Sequence, residues 1–237
     1  MSEEKKKVII AVDGPAASGK GTFAKGLAKK LSYAYLDTGS IYRAIAHEVL
    51  ERGGDPQNID DVEPVLQTIK YPLPDAVLNN PDLRTSKIEK ATPHIGGMQE
   101  AQAIVKAYQK EFVKNPPKNS DGAVLDGRDV GTSVFPNADV KFYITASAKE
   151  RAKRRYEQQK DRTPGLTVET VLKEITLRDA HDMNRQFSPL RSAKDAHTID
   201  TTNDTPTEAL EKGIKIVRSK LADARPKNTK RKRRFGR

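Results

Sequence analysis

Short apolar runs alternate with longer amphipathic stretches along most of the chain. Residues 8–12 are apolar without alternation, which is typical of a strand that is covered on both faces. Phe23, Leu27 and Leu31 then recur at helical spacing and predict a helix over residues 22–31. Because strand and helix patterns keep alternating, we predict an α/β domain built around a parallel sheet.

Further apolar runs predict four more strands. They cover residues 33–36, 123–125, 140–144 and, with a weaker pattern, 196–199. Ile41, Ile45 and Val49 mark another helix, which we expect to end at Gly53 and Gly54.

Two later helices have clear start patterns. Ser147 and Glu150 fit a capping box, in which each side chain bonds the backbone N–H of the other residue. Thr205 and Glu208 fit a second box, and Pro206 takes the first helical position, where no backbone N–H is needed. We therefore predict helices after both boxes.

Residues 55–119 differ from the rest of the chain. Prolines recur there, strand patterns are scarce, and residues 98–112 form the one clear helical pattern. We interpret this stretch as an insertion on the α/β core and not as an independent domain. The expected organisation is one domain over residues 1–225, followed by a tail over residues 226–237.

A glycine-rich segment joins the first predicted strand to the first predicted helix. In that context backbone N–H groups and the helix N-terminus form a site for phosphate oxygens. Lys20 could bridge the β- and γ-phosphates, and the Thr22 hydroxyl could approach Mg²⁺ carried by the nucleotide. The predicted ATP-binding residues are Gly14, Pro15, Ala16, Ala17, Ser18, Gly19, Lys20, Gly21 and Thr22.

This motif alone indicates nucleoside triphosphate binding and leaves the phosphate acceptor open. Hydrolases, motor proteins, GTPases and small-molecule kinases all share it. The usual pattern has Ser or Thr directly after the lysine, whereas here Gly21 intervenes.

Arginines suited to phosphate binding cluster elsewhere in the chain. Arg43 and Arg128 follow predicted strand ends, where ligands of open α/β sheets collect. Arg178, Asp182 and Arg185 share one helix face. Two polyanionic nucleotides can approach each other only if such charges neutralise them.

Simpler interpretations of these side chains stay open. Arg178 and Asp182 could form an ordinary surface ion pair. Thr38 could be a helix cap with no role in binding. A further basic group could be a solvated helix face; its members are Arg151, Arg154 and Arg155.

Composition and charge narrow the class of protein. The chain has 237 residues, a net charge of +11 and no cysteine, which excludes a disulfide scaffold and a thiol nucleophile. Four histidines lie far apart in sequence, so a histidine metal site is not expected. Neither a membrane span nor a secretory leader is predicted, and we expect a cytoplasmic protein.

The basic charge is concentrated at the C-terminus. Residues 226–237 hold seven basic side chains and no acid, which leaves +4 for the rest of the chain. Such a tail could contact RNA weakly and without sequence preference, so an RNA-associated NTPase remains an alternative. We favour a solubilising tail without a specific nucleic-acid partner, because Phe235 is its only aromatic residue.

Four segments beyond the phosphate loop give the chain a specific resemblance. They read LDTGSIYR from residue 36, LDGRDVGT from 125, ERAKRR from 150 and RDAHDMNR from 178. In order and spacing the chain resembles the bacterial cytidylate kinases, within the nucleoside monophosphate kinase family of P-loop NTPases. The resemblance runs from about residue 7 to 220.

The resemblance implies a fold and a reaction. The fold would be a five-stranded parallel sheet in the order 2-3-1-4-5, flanked by helices, with a nucleotide-binding insertion over residues 55–119 and a short lid at 151–166. The reaction would be Mg²⁺-dependent phosphoryl transfer from ATP to CMP or dCMP, in a monomer. A kinase for another nucleoside monophosphate is the nearer alternative.

The same resemblance implies roles for individual residues. Thr38 and Arg43 would hold the acceptor phosphate. Asp129 and Asp182 would meet the pyrimidine or its sugar, and Asp126 resembles the carboxylate that supports Mg²⁺. The cationic catalytic residues would be Lys20, Arg128, Arg155 from the lid, Arg178 and Arg185, with Arg128 and Arg185 also at the acceptor.

Two positions depart from the family pattern. The helix of residues 98–112 usually carries an arginine where this chain has Gln102, and Pro93 replaces a serine before it. An amide cannot replace a guanidinium charge. We therefore expect either weaker acceptor binding or a different contact, supplied by Gln102 or a nearby lysine.

Overall fold

The computed structural model describes residues 7–161 and 163–223, with five parallel strands in one sheet. The strands are β1 (Val8–Asp13), β2 (Ala34–Asp37), β3 (Gly122–Gly127), β4 (Val140–Thr145) and β5 (His197–Asp200). Their order is β2-β3-β1-β4-β5, and each neighbouring pair is parallel. The predicted fold class and strand order are therefore confirmed.

Helices lie on both faces of this sheet. In chain order they are α1 (Lys20–Leu31), α2 (Thr38–Glu51), α3 (Ile59–Leu66), α4 (Asp75–Leu78), α5 (Ser86–Gly97), α6 (Gln99–Lys114), α7 (Ala148–Gln159), α8 (Val168–Asn184) and α9 (Pro206–Asp223). Alternate strand residues face opposite layers. Ile10 and Val12 pack with α1 and α9, whereas Ala11 packs with α2 and the helices of the insertion.

The prediction for residues 55–119 was wrong about helix content. Helices α3 and α5 lie there as well as α6, and each contains an interior proline, Pro64 or Pro93. Val62 and Ile95 pack in the same buried cluster as Leu125 of β3. A core shared with the sheet supports the interpretation of this stretch as an insertion.

The two capping boxes have different outcomes. Thr205 and Glu208 bond each other's backbone N–H groups, as predicted. Ser147 accepts from the Glu150 N–H, but its own N–H bonds Thr202 and Glu150 turns to Arg154. The first box is therefore only half formed.

Candidate active site

Three strands end at one edge of the sheet and bring the predicted motifs together there. Asp13 of β1 lies opposite Gly127 of β3, and Asp37 of β2 lies opposite Asp126. The segments that follow are the phosphate loop, the start of α2 and the Arg128 loop. They line one cleft of about 540 Å³.

Backbone geometry explains two glycines of the phosphate loop. A Cβ at Gly14 would lie 2.0 Å from the Ile144 carbonyl oxygen, so this position admits no side chain. A Cβ at Gly21 would lie 3.0 Å from Asp126 Oδ2. A side chain directly after Lys20 would therefore require the Asp126 carboxylate to move by a few tenths of an ångström.

The N-terminus of α1 is open toward the cleft. Gly19 precedes the helix in a left-handed conformation and supplies no side-chain cap to its first N–H groups. Ser18 Oγ is buried without a hydrogen-bond partner in the described part of the chain. Uncapped N–H donors at a helix start are suited to phosphate oxygens.

Lys20 and Asp126 face each other at the centre of the cleft. Lys20 Nζ lies 3.9 Å from Asp126 Oδ1 and 3.5 Å from the Pro15 carbonyl oxygen. Burial, together with the charge of Arg128, lowers the pKa of Lys20 to about 8. Burial likewise raises the pKa of Asp126, whose Oδ1 has no hydrogen bond to described residues.

Asp37 holds two arginines at the acceptor side. Arg43 Nη2 lies 2.6 Å from Asp37 Oδ2, and Arg84 Nη2 lies 3.1 Å from the same oxygen. Burial alone would raise the pKa of Asp37, but Arg43 and Arg84 hold it below its usual value. Arg84 was missed in the sequence, since it lies in a short 3₁₀ turn among prolines without any periodic pattern.

Arg128 and Asp182 join the Arg128 loop to α8. Arg128 Nε lies 3.0 Å from Asp182 Oδ2, and both side chains are largely buried. Burial would raise the pKa of Asp182, but the neighbouring His181, whose Nδ1 lies 3.8 Å from Asp182 Oδ1, and Arg128 hold it below its usual value. Burial and the charge of Arg128 lower the pKa of Arg178 to about 10. Arg178 and Asp182 are therefore not an ordinary surface pair.

The three arginines of α7 have separate environments, so the solvated-face interpretation is wrong. Arg155 lines the cleft and forms an ion pair with Glu89 of α5. Arg151 donates to the carbonyl oxygen of Ala16 in the phosphate loop. Arg154 donates to both oxygens of Thr201, whose hydroxyl in turn donates to the Ser18 carbonyl oxygen. Two of the three arginines thus support the phosphate loop from behind.

Thr38 and Asp129 lie at the same end of the sheet. Thr38 Oγ1 donates to the Asp126 carbonyl oxygen, so its side chain ties α2 to β3 and does not cap the helix. Asp129 Oδ1 lies 3.9 Å from Arg185 Nη2 on the cleft wall. Burial raises the pKa of Asp129.

Gln102 does not lie where a contact with the acceptor was predicted. Its amide is buried and donates to the carbonyl oxygens of Gly96 and Phe187. It does not line the cleft, whereas Thr92 and Pro93 do. Acceptor contact by Gln102 stays a prediction without support from its position.

Of the nine predicted ATP-binding residues, the last six line the cleft. They are Ala17, Ser18, Gly19, Lys20, Gly21 and Thr22. Gly14, Pro15 and Ala16 do not line it, and the carbonyl oxygens of Pro15 and Ala16 accept hydrogen bonds from Lys20 and Arg151.

A metal carried by the nucleotide fits the residues present. No group of three or more His, Cys, Asp or Glu in the described ranges could hold an ion by itself. Asp126, whose Oδ1 accepts no hydrogen bond from described residues, and the exposed Thr22 both border the cleft. The oxygens of their side chains are ligands that Mg²⁺ prefers.

The histidines are closer than the sequence suggested. The rings of His94 and His181 are in edge contact with centroids 6.4 Å apart, and His197 packs against Phe142. Both pairs are separated by many residues in the chain, so only the tertiary fold brings them together.

Comparison with known proteins agrees with this geometry. The family model described as cytidylate kinase matches residues 10–219. The chain belongs to the cytidylate kinase family. A cytidylate kinase of Rhodospirillum rubrum is 40% identical over 213 residues, which cover 90% of this chain and 98% of the relative. One from Bacillus velezensis is also 40% identical, over 91% of this chain and 98% of its own.

The cytidylate kinase match confirms the resemblance seen in the sequence. A crystal structure from Thermus thermophilus covers 94% of this chain and 100% of its own, with a TM-score of 0.49 and 19% identity. So distant a likeness adds nothing to the assignment.

The family match ends before the basic tail, which lies outside the described residues, and it does not favour an RNA-associated NTPase. Within the ranges described, no helix is long and apolar enough to cross a membrane.

Proposed function

We propose that this member of the cytidylate kinase family transfers the γ-phosphoryl group of ATP to CMP or dCMP. The observation that carries this proposal is the convergence of cations from distant segments on one cleft. These cations are Lys20, Lys25, Arg43, Arg84, Arg128, Arg155, Arg178 and Arg185. Family membership supports cytidine nucleotides as the acceptors.

The two substrates would occupy opposite ends of this cleft. ATP would place its phosphates on the N-terminus of α1 and Lys20, braced from behind by Arg151 and Arg154. The acceptor phosphate would lie between Arg43 and Arg84, displacing part of their pairing with Asp37. The acceptor base or sugar would then reach Asp129 and Asp182.

Catalysis in this arrangement is positioning and charge neutralisation. Both the attacking and the leaving atoms are phosphate oxygens that are already anionic, so no general base is required. Arg128, Arg178 and Arg185 would surround the transferred group. Arg155 would close over it with the lid that we propose at residues 151–166, which would also exclude water.

The metal would be held through the nucleotide, next to Thr22 and Asp126. When bound, Mg²⁺ supplies positive charge to the β- and γ-phosphate oxygens. Lys20 is held close by through Asp126 and the Pro15 carbonyl, so it can donate to the same phosphates.

An acceptor panel tests the proposal. We expect the highest kcat/KM with CMP or dCMP when ATP and Mg²⁺ are supplied together with CMP, dCMP, UMP, AMP and GMP in turn. Preference for a purine nucleotide would contradict the proposal. The organisation as one domain and a cytoplasmic monomer remains a prediction, which gel filtration can address for the oligomeric state.

A further inference from the structure

One carboxylate joins helix α7 to helix α5 beside the cleft. Glu89 Oε2 of α5 forms an ion pair with Arg155 Nη2 and accepts from Gln159 Nε2 at 3.0 Å. Arg155 and Gln159 are four residues apart on α7, so both donors lie on one face of that helix. The Arg155 side chain is 21% exposed and that of Glu89 is 13% exposed, so solvent screens this pair only in part.

The two helices border opposite ends of the cleft. Helix α5 lies at the proposed acceptor end, where Thr92 and Pro93 line the cleft and Glu89 precedes them by three and four residues on the same helix face. Helix α7 lies at the proposed ATP end, where Arg151 donates to the Ala16 carbonyl oxygen of the phosphate loop. The ion pair of Glu89 therefore connects the proposed sites of the two substrates.

Arg155 has two possible anionic partners. Its side chain lines the cleft together with Arg178, yet its charge is paired with Glu89. A phosphate oxygen and the Glu89 carboxylate repel each other. Arg155 can therefore bind a phosphoryl group fully only after its pairing with Glu89 has weakened.

The charge of the bound substrates decides between these partners. The phosphates of ATP alone would be partly neutralised by Lys20 and the N-terminus of α1. The acceptor adds a phosphate monoester, which carries a charge of about −1.5 to −2 at pH 7. Attraction of Arg155 toward the cleft is therefore strongest when both nucleotides are bound.

We propose that Glu89 withholds Arg155 from ATP until the acceptor nucleotide is bound, and so limits transfer of the γ-phosphoryl group to water. In that side reaction a water oxygen bonds to the γ-phosphorus, the bond to the β,γ-bridging oxygen breaks, and ADP, phosphate and a proton are released. It needs the same neutralisation of charge as transfer to an acceptor, which Arg155 would supply. Glu89 is a positioning residue here, because it acts through Arg155 and does not line the cleft. The inference rests on the proposed function.

The test compares two glutamates that form ion pairs between helices. Glu89→Gln removes the charge that pairs with Arg155, whereas Glu174→Gln makes the same change in the largely exposed 3.6 Å pair between α8 and Lys90 of α5. ADP release from ATP and Mg²⁺ without acceptor and CDP formation with CMP are measured on the same preparation, so any loss of folded protein cancels from the ratio of the two rates. We expect Glu89→Gln to raise the ratio of hydrolysis to transfer by roughly ten-fold, as for loss of one charged hydrogen bond. A ratio no higher than that of Glu174→Gln would overturn the inference.

A double variant shows whether the effect passes through Arg155. Arg155→Met combined with Glu89→Gln should hydrolyse ATP no faster than Arg155→Met alone, because no guanidinium is left to release. If Glu89→Gln still raises hydrolysis when Arg155 is absent, the inference is overturned. Failure of the wild type to form CDP from CMP would contradict the proposed function. CDP formation with equal ratios in Glu89→Gln and Glu174→Gln would contradict this inference alone.

Discussion

Lys20 is held in place by fixed neighbours, and this bears on its contribution to the rate of phosphoryl transfer. Its ammonium group lies beside Asp126 and a backbone carbonyl, in a position set by the first turn of α1. Because it needs little rearrangement to meet a phosphate, we expect its contribution to appear mainly in the rate of transfer.

Lys20→Ala should therefore lower kcat by ~10² or more, the scale of losing one donor to a developing negative charge. Lys29→Ala, on the last turn of the same helix and exposed, is the matched control and should retain activity. Initial rates with saturating ATP and CMP measure both. Near-normal turnover without Lys20 would remove the phosphate-loop assignment.

Asp13 carries a pH-dependent contribution to stability. Its carboxylate accepts the N–H groups of Val130 and Gly131, at 2.9 and 2.8 Å, and so fixes the segment after Arg128. Burial raises the pKa of Asp13 from 3.8 to about 7 in the folded protein. The native state therefore binds more protons than the unfolded state between these values, and this group loses stabilising effect as pH rises from about 4 to 7.

Asp13→Asn removes the titration while keeping the shape of the side chain. The fall in unfolding free energy between pH 4 and 7, measured by urea denaturation, should be smaller in the variant than in the wild type. Parallel stability profiles would show that Asp13 does not titrate in this range.

At the scale of elements, α7 connects α8 to the phosphate loop. Arg151 pairs with Asp179 at 2.6 Å and donates to the carbonyl oxygens of Ala146 and Ala16. Both charged side chains are buried, so removing one partner leaves an unpaired buried charge.

Arg151→Met should reduce the free energy of unfolding by ~3 kcal/mol, the cost of breaking a buried pair from one side. The KM for ATP should rise more than the KM for CMP, because Ala16 loses its support. Lys153→Met, exposed on the same helix, provides the control for urea denaturation and kinetics. A stability loss no larger than that of the control would mean that the pair contributes little.

Elements with periodic patterns were predictable from sequence, and those shaped by packing were not. The five strands and the phosphate loop each carry a local signature that the fold preserves. Helices α3 and α5 were missed because Pro64 and Pro93 normally end helices, at a cost of ~3 kcal/mol. Burial of Val62 and Ile95 against the shared core favours the helix despite that cost.

Side-chain partners were harder to predict than elements. Arg43, Arg128 and Arg178 were expected at the cleft from their places after strands or on a helix face. Arg84 gave no such indication, since its relevance depends on Asp37, which is distant in sequence.

At the scale of the whole molecule, charge placement explains the function better than net charge. Much of the +11 belongs to the C-terminal tail, whereas eight cationic side chains line one cleft that also holds Asp37, Asp126, Asp129 and Asp182. These carboxylates offset part of the positive charge of the cleft. Two nucleotides can then bind side by side there, because their phosphates can replace these carboxylates as partners of the cationic side chains.

The most direct test of that central claim is calorimetric binding of a single molecule that joins adenosine and cytidine through a pentaphosphate. We expect one molecule to bind per chain, to exclude both ATP and CMP, and to bind more weakly to Arg43→Ala, Arg128→Ala and Arg178→Ala. If ATP and CMP still bind when the bridged molecule is present, or if none of these arginines affects its binding, the two phosphate sites do not share one cleft.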